Sequence, residues 1–241
     1  MAESRVMATV RGDSELQSEV LDDLAEAANY RRWLVALAQP WLGSSVIEVG
    51  SGNGDYAAEY LAAGCEVTAT ELDDTRLAVL RRRFAADPRV KVRHLGLPTE
   101  ETGDHSAAVA FNVVEHIADD VGALRSLGQL VGPKGHVVVF VPAFEVAMSD
   151  FDREVGHVRR YTRRTLGATF EGAGLEVDTM HYVNSLGLVA WIVNMRLLGR
   201  RPESGEALRR WDSHVIPRLQ RLEKRREPPF GQSLFAVGRK P

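Results

Sequence analysis

The sequence predicts an α/β protein with a doubly wound, mostly parallel sheet. Two observations lead to this fold class: short apolar runs alternate with amphipathic segments of helical period, and glycine or proline punctuates most of the junctions. Strands that are separated by helices of about 10–15 residues form parallel sheets with crossover connections. No internal repeat or linker interrupts the series, so one domain over residues 1–241 is expected.

The first elements are predicted from apolar spacing. Residues 18–42 carry apolar side chains three and four positions apart, which predicts two helices that divide around Asn29 and Tyr30 and end at Pro40. The apolar run 45–50 ends in glycines and predicts a buried strand. Residues 57–63 predict a helix ended by Gly64, and residues 66–70 predict the second strand.

The alternation continues to residue 182 and then stops. Helices are predicted at 75–86, 117–131 and 163–173, and strands at 90–95, 106–111, 136–141 and 175–182. Beyond these, 185–198 is apolar and helical, 206–226 is a charged amphipathic helix, and 233–238 is a last strand. The expected layout is a helical cap (1–42), a core (43–183), a helical insertion or lid (184–228) and a closing strand (229–241).

Composition excludes several classes of protein. The 241 residues are 44% hydrophobic with a net charge of −3, which argues against a disordered chain and against a basic nucleic-acid binder. Cys65 is the single cysteine, so an internal disulfide framework is excluded. No apolar run approaches the ~18 residues of a membrane span, and the N-terminus lacks the apolar centre of a secretion signal. We therefore expect a cytoplasmic protein.

The first strand runs into a glycine-rich turn, EVGSGNG (48–54). Glycines let such a turn be tight and let its backbone approach a ligand closely. Glu71 lies 17 residues after Gly54, at the end of the second strand, where an acid can accept hydrogen bonds from a ribose diol. The dehydrogenase fingerprint fails because Asp55 takes the place of its third glycine, and no Gly-Lys-Ser/Thr follows to make a Walker loop.

The sequence resembles the class I S-adenosylmethionine-dependent methyltransferases in VIEVGSGNG (46–54), TATELD (68–73) and FNVVEHI (111–117). The resemblance covers about residues 45–182 and implies a Rossmann-like sheet of seven strands whose last strand is antiparallel. Many members carry an aspartate near the adenine where HLGLPTE (94–100) presents Leu97, so only its backbone is expected to bracket that ring. The implied cofactor residues are Glu48, Gly50, Ser51, Gly52, Gly54, Glu71, Leu72, Leu97 and Asn112.

Methyl transfer needs an aligned nucleophile, and an alcohol or phenol also needs a base. Two histidines follow strands at the expected acceptor side, His157 in a long polar segment and His116 after the fourth strand. We predict His157 as the base, oriented by Asp152 or Glu154, with His116 second. The alternatives are that His116 packs beside the cofactor and that Arg159 and Arg160 clamp the segment to acidic neighbours.

Three further alternatives stay open from the sequence. A metal site from Glu115, His116, Asp152 and His157 is one, since related quinone methyltransferases use a Glu-His pair after this strand; no ligand spacing supports it, and no metal is expected. The apolar segment 185–199 has four interpretations: a packed core helix, a dimer contact, a lid over an apolar or lipid-like acceptor, or a weak contact with a membrane surface. N- or C-methylation and a noncatalytic cofactor-binding subunit are the rival functions. We expect the methyl acceptor to be a small molecule and not a nucleic acid. The sequence also leaves open that the protein forms a homodimer.

Overall fold

One mixed sheet organises the computed structural model, which describes residues 12–200 and 204–241. Its strands are β1 (Ser45–Val49), β2 (Glu66–Glu71), β3 (Val90–His94), β4 (His105–Phe111), β5 (Val131–Pro142), β6 (Glu176–Val183) and β7 (Ser233–Arg239). Across the sheet they lie in the order β3-β2-β1-β4-β5-β7-β6, and β7 is antiparallel to both of its neighbours. The predicted seven-stranded, mostly parallel sheet with an antiparallel closing strand is confirmed.

Helices cover both faces of this sheet. They are α1 (Ser14–Ala25), α2 (Ala28–Leu42), α3 (Asp55–Ala62), α4 (Asp74–Arg83), α5 (Asp120–Gln129), α6 (Asp150–Glu154), α7 (Arg163–Gly172), α8 (Ser185–Trp191), α9 (Gly205–His214) and α10 (Ile216–Arg225). A π-helical turn, Ile192–Leu197, continues α8. Residues 1–11 of the predicted cap and 201–203 of the predicted insertion lie outside the described residues.

Several predicted helix boundaries were wrong because side chains cap the helices elsewhere. Helix α1 begins at Ser14, since the carboxylate of Asp13 accepts hydrogen bonds from the first-turn backbone. The break before α2 lies at residues 26–27, and Pro40 sits inside the last turn of α2. Helix α5 begins at Asp120 because the side chain of Asp119 caps it, and a 3₁₀ turn precedes it.

The segment predicted as one helix over 206–226 is two helices, α9 and α10. Pro217 stands in the first turn of α10, where its missing N–H costs nothing, and a new helix begins there. The long polar segment after β5 contains a helical turn, α6, that the sequence analysis did not predict. Ser149 and Asp152 close α6 with a reciprocal capping box.

Two apolar cores fill the space between the layers. On one face, α2, α3 and α10 bury Trp33, Leu34, Tyr60 and Leu219 against the sheet. On the other face, α5 and α7 bury side chains that include Leu124, Leu127, Leu166 and Phe170. Helix α1 contains no buried residue, and its apolar side lines the cavity described below.

Helices α9 and α10 each use a buried or half-buried carboxylate to hold the start of another helix. Asp212 of α9 is 4% exposed and accepts hydrogen bonds from the backbone N–H groups of Asn29 and Tyr30, at 2.9 and 2.8 Å. Helix α2 has no capping side chain of its own, so Asp212 supplies its N-terminal cap. Glu223 of α10 accepts from the backbone of Ser185 at the start of α8.

None of the helices in the described ranges is long and apolar enough to cross a membrane.

Candidate active site

A cavity of about 770 Å³ opens at the carboxyl ends of β1, β2, β4 and β5. The glycine turn after β1 forms one wall, and Gly50, Gly52 and Gly54 all have positive φ, at 74°, 54° and 85°. A side chain is strained in that conformation, and a Cβ on Gly52 would lie 2.9 Å from Leu21 of α1. The sequence therefore needs glycine here for the turn itself as well as for access to a ligand.

Glu71 ends β2 beside this turn and is 6% exposed. Its carboxylate accepts hydrogen bonds from the backbone N–H groups of Gly52, Leu72 and Asp73, at 3.0, 2.9 and 3.0 Å. The guanidinium of Arg76 lies 3.6 Å from the same carboxylate. A carboxylate has about four acceptor sites, so Glu71 holds the turn in place and keeps capacity for a ligand hydroxyl.

Most of the predicted cofactor residues meet in this cavity. Its walls include Gly50, Ser51, Gly52, Glu71, Leu72, Leu97 and Asn112. Asn112 adopts a left-handed φ of 53° directly after β4, a strained conformation that is common in functional sites. Glu48 and Gly54 lie behind the turn instead. Burial raises the pKa of Glu48 to about 7, and a Cβ on Gly54 would meet Phe84 at 2.6 Å.

The part of the cavity beyond β4 and β5 contains both predicted histidines, and we call it the acceptor side because the sequence predicts the acceptor there. His157 Nδ1 lies 2.9 Å from Oδ1 of Asp152, which fixes Asp152, rather than Glu154, as its orienting carboxylate. Arg160 donates to the same Oδ1 at 2.8 Å. Burial opposes the charge on Asp152, but the hydrogen bonds from His157 and Arg160 outweigh it and lower the pKa of Asp152 to about 2. The arginines do clamp this segment to acids, since Arg159 likewise pairs with Asp120 at 2.6 Å.

His116 packs edge-on against His157, with ring centroids 4.7 Å apart. Burial, with a smaller contribution from His157, lowers the pKa of His116 to about 3. Glu115 lies behind the two rings, fully buried, with Oε1 3.9 Å from Nε2 of His157. Burial raises the pKa of Glu115 to about 7. The donor atoms of Glu115, His116 and His157 all lie within 4.8 Å of one another, so these side chains could hold a metal ion.

The rest of the acceptor side is mostly aromatic and aliphatic. Tyr30 and Trp191 line it as predicted, whereas Trp33 lies in the core and Tyr161 donates a buried hydrogen bond to Asp120. Trp191 donates to the carbonyl of Ala147. The sequence analysis missed other lining residues, among them Phe111, Phe140, Trp211, Ile216, Asn184 and Gln232. Only the positive φ of Asn184, after β6, marks one of these as unusual, and that is a structural signal.

Residues 16–180 match the model of a family described as a methyltransferase domain. The ubiquinone biosynthesis O-methyltransferase of Bordetella avium is 29% identical over 110 residues, which are 44% of this chain and 45% of that protein. The demethylmenaquinone methyltransferase of Clavibacter sepedonicus is 26% identical over 122 residues, 48% of this chain and 49% of that protein. The chain thus spans about half the length of these relatives.

Solved methyltransferases share the fold at low identity. A methyltransferase of Haloferax volcanii, in complex with an activator protein, superposes with a TM-score of 0.63 at 15% identity, covering 97% of this chain and all of that one. A TehB-like S-adenosylmethionine-dependent methyltransferase of Corynebacterium glutamicum gives 0.57 at 18% identity, covering 95% and 98%. Since the family model covers well over half of the sequence, the chain belongs to this family of methyltransferase domains, and it shares the fold of solved S-adenosylmethionine-dependent methyltransferases.

Proposed function

We propose that this enzyme transfers the methyl group of S-adenosylmethionine to an oxygen atom of a small, largely apolar acceptor. The observation that carries the proposal is the Asp152–His157 pair, which lines the same cavity as the glycine turn. A histidine oriented by a buried carboxylate is the usual arrangement for removing a hydroxyl proton. An oxygen acceptor needs that proton removed as the methyl group arrives.

In this proposal the cofactor lies along the glycine turn. Gly50, Ser51 and Gly52 pass beneath its methionine and ribose, and the remaining acceptor capacity of Glu71 takes the ribose hydroxyls. Leu72 and Leu97 bracket the adenine, and Asn112 lies at the methionine end. Glu48 and Gly54 act through the shape of the turn, because they lie behind it.

His157 is a better base than His116 for two reasons. Its Nδ1 is held by Asp152, so the proton of the neutral ring stays on Nδ1 and the lone pair is on Nε2. His116 has a strongly lowered pKa, and a weak base removes a proton poorly. His116 then packs beside His157 and supports its ring.

The aromatic lining supports an acceptor with a large apolar part. Phe111, Phe140, Trp191 and Trp211 surround the space on the acceptor side, and α8 forms its roof. Two relatives are named as O-methyltransferases, of ubiquinone biosynthesis and of mitomycin, which favours oxygen here. The other face of α8 exposes Leu186 and Val189. A weak membrane contact, a homodimer and a cytoplasmic location stay predictions.

The test is methyl transfer from labelled S-adenosylmethionine to fractionated metabolite extracts, followed by mass spectrometry of the product. We expect a methyl ether or ester and a fall in kcat of ~10²–10⁴ in His157→Ala. The matched control is His214→Ala, an exposed histidine of α9 outside the cavity lining, which should retain full activity. A methylated amine or a new carbon–methyl bond would establish the N- or C-methyltransferase alternative. Cofactor binding without turnover on any fraction would establish the noncatalytic one.

A further inference from the structure

A polar patch lies in the otherwise mostly apolar acceptor side of the cavity, at the start of α8. It consists of Tyr30, Asn184, Gln232 and Ser233, which all line the cavity. Asn184 follows β6 with a left-handed φ of 64° and is 4% exposed. Gln232 precedes β7, and its backbone N–H donates to the carbonyl of Asn184 at 3.0 Å. The ends of two paired strands thus hold the two amide side chains next to each other.

The hydrogen bonds of Asn184 determine the orientation of both amides. The backbone N–H of Gly187 can only donate, and it lies 3.1 Å from Oδ1 of Asn184, so Nδ2 is the atom that faces Gln232. This Nδ2 donates to Oε1 of Gln232 at 2.7 Å. A Cβ on Gly187 would lie 2.2 Å from Nδ2, so the amide pair needs a glycine beneath it. The other end of the Gln232 amide, Nε2, is left with two N–H groups and no acceptor in the described part of the chain.

The hydroxyl of Tyr30 is the second free donor of the polar patch. Burial raises the pKa of Tyr30, and hydrogen bonds from the side chains of Ser233 and Asn184 oppose that rise. A group that lowers the pKa of a phenol donates to its oxygen, so Tyr30 is the acceptor in both contacts. The hydroxyl itself stays neutral, and its own proton is not used in these contacts. Tyr30 can therefore donate that proton to a ligand.

The two free donors match a single neutral carbonyl oxygen, which has two lone pairs. Asp212 and Glu223 lie behind the polar patch and accept from the backbone N–H groups of Tyr30 and Asn184, at 2.8 and 3.0 Å. Their negative charge disfavours a carboxylate as the ligand. Each arginine among the described lining residues is already paired with an acid: Arg31 with Glu59, Arg76 with Glu71, and Arg160 with Asp152.

We propose that the polar patch binds a neutral carbonyl group of the acceptor, in a ketone, amide or ester, at the end of the molecule opposite the oxygen that is methylated. This inference rests on the proposed function, which supplies the methylated oxygen. Gln232 and Tyr30 donate to the carbonyl, and Asn184 is a positioning residue because it acts through both of them. The apolar lining between the two ends then contacts the middle of the acceptor.

Helix α8 connects the polar patch with the proposed base. Asn184 caps its first turn, and Trp191 is its last residue. The guanidinium of Arg160 lies 4.8 Å from the ring centroid of Trp191, and Arg160 binds the Asp152 that orients His157. Seven helical residues rise about 10 Å, so we expect an acceptor whose carbonyl and methylated oxygens are separated by a distance of that order.

The experiment measures the binding of substituted phenols to the full chain by calorimetry, with S-adenosylhomocysteine present. The phenols carry straight para chains of increasing length, and each chain is prepared as the ketone, as the matching alcohol and as the plain alkane. We expect the ketone of the right length to bind about 10-fold more tightly than its alkane, because two donors of the protein gain an acceptor.

Two nearly isosteric variants should reverse this preference. Gln232→Glu keeps the oxygen that accepts from Asn184 and replaces the free donor Nε2 by an acceptor. Asn184→Asp keeps the acceptor for Gly187, but the Gln232 amide must turn its nitrogen towards the new carboxylate and its oxygen towards the cavity. In both variants the ratio of ketone affinity to alcohol affinity should fall about 10-fold. Gln220→Glu, on α10 and outside the cavity lining, is the matched control and should keep the ratio of the unmodified chain.

Folding is checked in every variant by circular dichroism and by calorimetric binding of S-adenosylmethionine. If Asn184→Asp does not fold, Gln232→Glu decides the matter alone. The proposal is overturned if no ketone binds more tightly than its alkane, or if no ketone binds at ~1 mM. It is also overturned if folded Gln232→Glu keeps the ketone preference of the unmodified chain, since the carbonyl then lies elsewhere. A methylated amine or a new carbon–methyl bond in the extract assay would instead count against the proposed oxygen acceptor and would leave these binding ratios unchanged.

Discussion

Replacing Asp212 with alanine should destabilise the protein by uncapping a helix that lies far from it in sequence. The carboxylate of Asp212 accepts from the backbone N–H groups of Asn29 and Tyr30 and from the amide of Asn29 at 3.0 Å. It is 4% exposed, so water replaces these contacts poorly. Two backbone donors would lose their partner in the first turn of α2, where the helix dipole also favours a negative charge.

The size of the effect follows from those contacts. Losing an N-terminal cap costs ~1 kcal/mol, and leaving a second buried donor unpaired adds ~1–3 kcal/mol. We therefore expect a loss of ~2–4 kcal/mol, which lowers Tm by roughly 5–15 °C in a domain of this size. Thermal and urea denaturation followed by circular dichroism measure it.

Two variants calibrate this measurement. Asp212→Asn keeps one acceptor oxygen and should lose less stability than Asp212→Ala. Asp150→Ala removes an acid whose side chain is 98% exposed and should change stability by less than ~0.5 kcal/mol. If Asp212→Ala is no less stable than Asp150→Ala, the hydrogen bonds from α2 to Asp212 contribute nothing to stability. Helix α9 then lies beside α2 without stabilising it through this side chain.

Three further outcomes are expected. Glu71→Ala should weaken S-adenosylmethionine binding by ~1.5–3 kcal/mol in calorimetry, because a charged acceptor for the ribose is removed, and unchanged affinity would refute that contact. Burial gives Glu48 a folded-state pKa of about 7, above its unfolded value, so wild-type stability falls as pH rises from about 4.5 to 7. Glu48→Gln should remove this loss of stability, which is on the order of 3 kcal/mol between pH 4.5 and pH 8 and is measured by urea denaturation. The same dependence of the unfolding free energy on pH in both proteins would contradict this expectation. Trp191→Ala should raise the acceptor KM and leave cofactor affinity intact; normal kinetics with a lowered Tm would make Trp191 a packing residue only.

Much of the fold can be predicted from the sequence because its signals are local. Apolar periodicity and glycine punctuation identify each strand of the sheet, and the glycine turn with Glu71 correctly predicts one wall of the cavity. The boundary of α2 fails because its capping group, Asp212, is remote in the sequence, whereas α1 and α5 were misplaced although their capping acids, Asp13 and Asp119, are local. The division of the last helical segment was overlooked although Pro217 marks it, since the amphipathic pattern runs through it unbroken.

The acceptor side is less accessible to sequence reasoning because its parts are far apart in the chain. Glu115 and His157 are 42 positions apart, and no spacing rule links them. The choice of Asp152 over Glu154 depends on α6, a helical turn of five residues that lacks a periodic pattern. Lining and core aromatic residues share the same elements, so only the fold separates Tyr30 from Trp33 on α2.

The antiparallel strand β7 has a consequence for synthesis on the ribosome. It lies between β5 and β6, so β6 has no place in the sheet until residues 233–239 have been translated. Before then, β5 presents an open edge that includes the apolar run 137–141, and exposed edges of this kind template unwanted strand pairing. The nascent chain thus depends on its final strand to close that edge, and ribosome stalling before residue 233 should leave a species prone to aggregate.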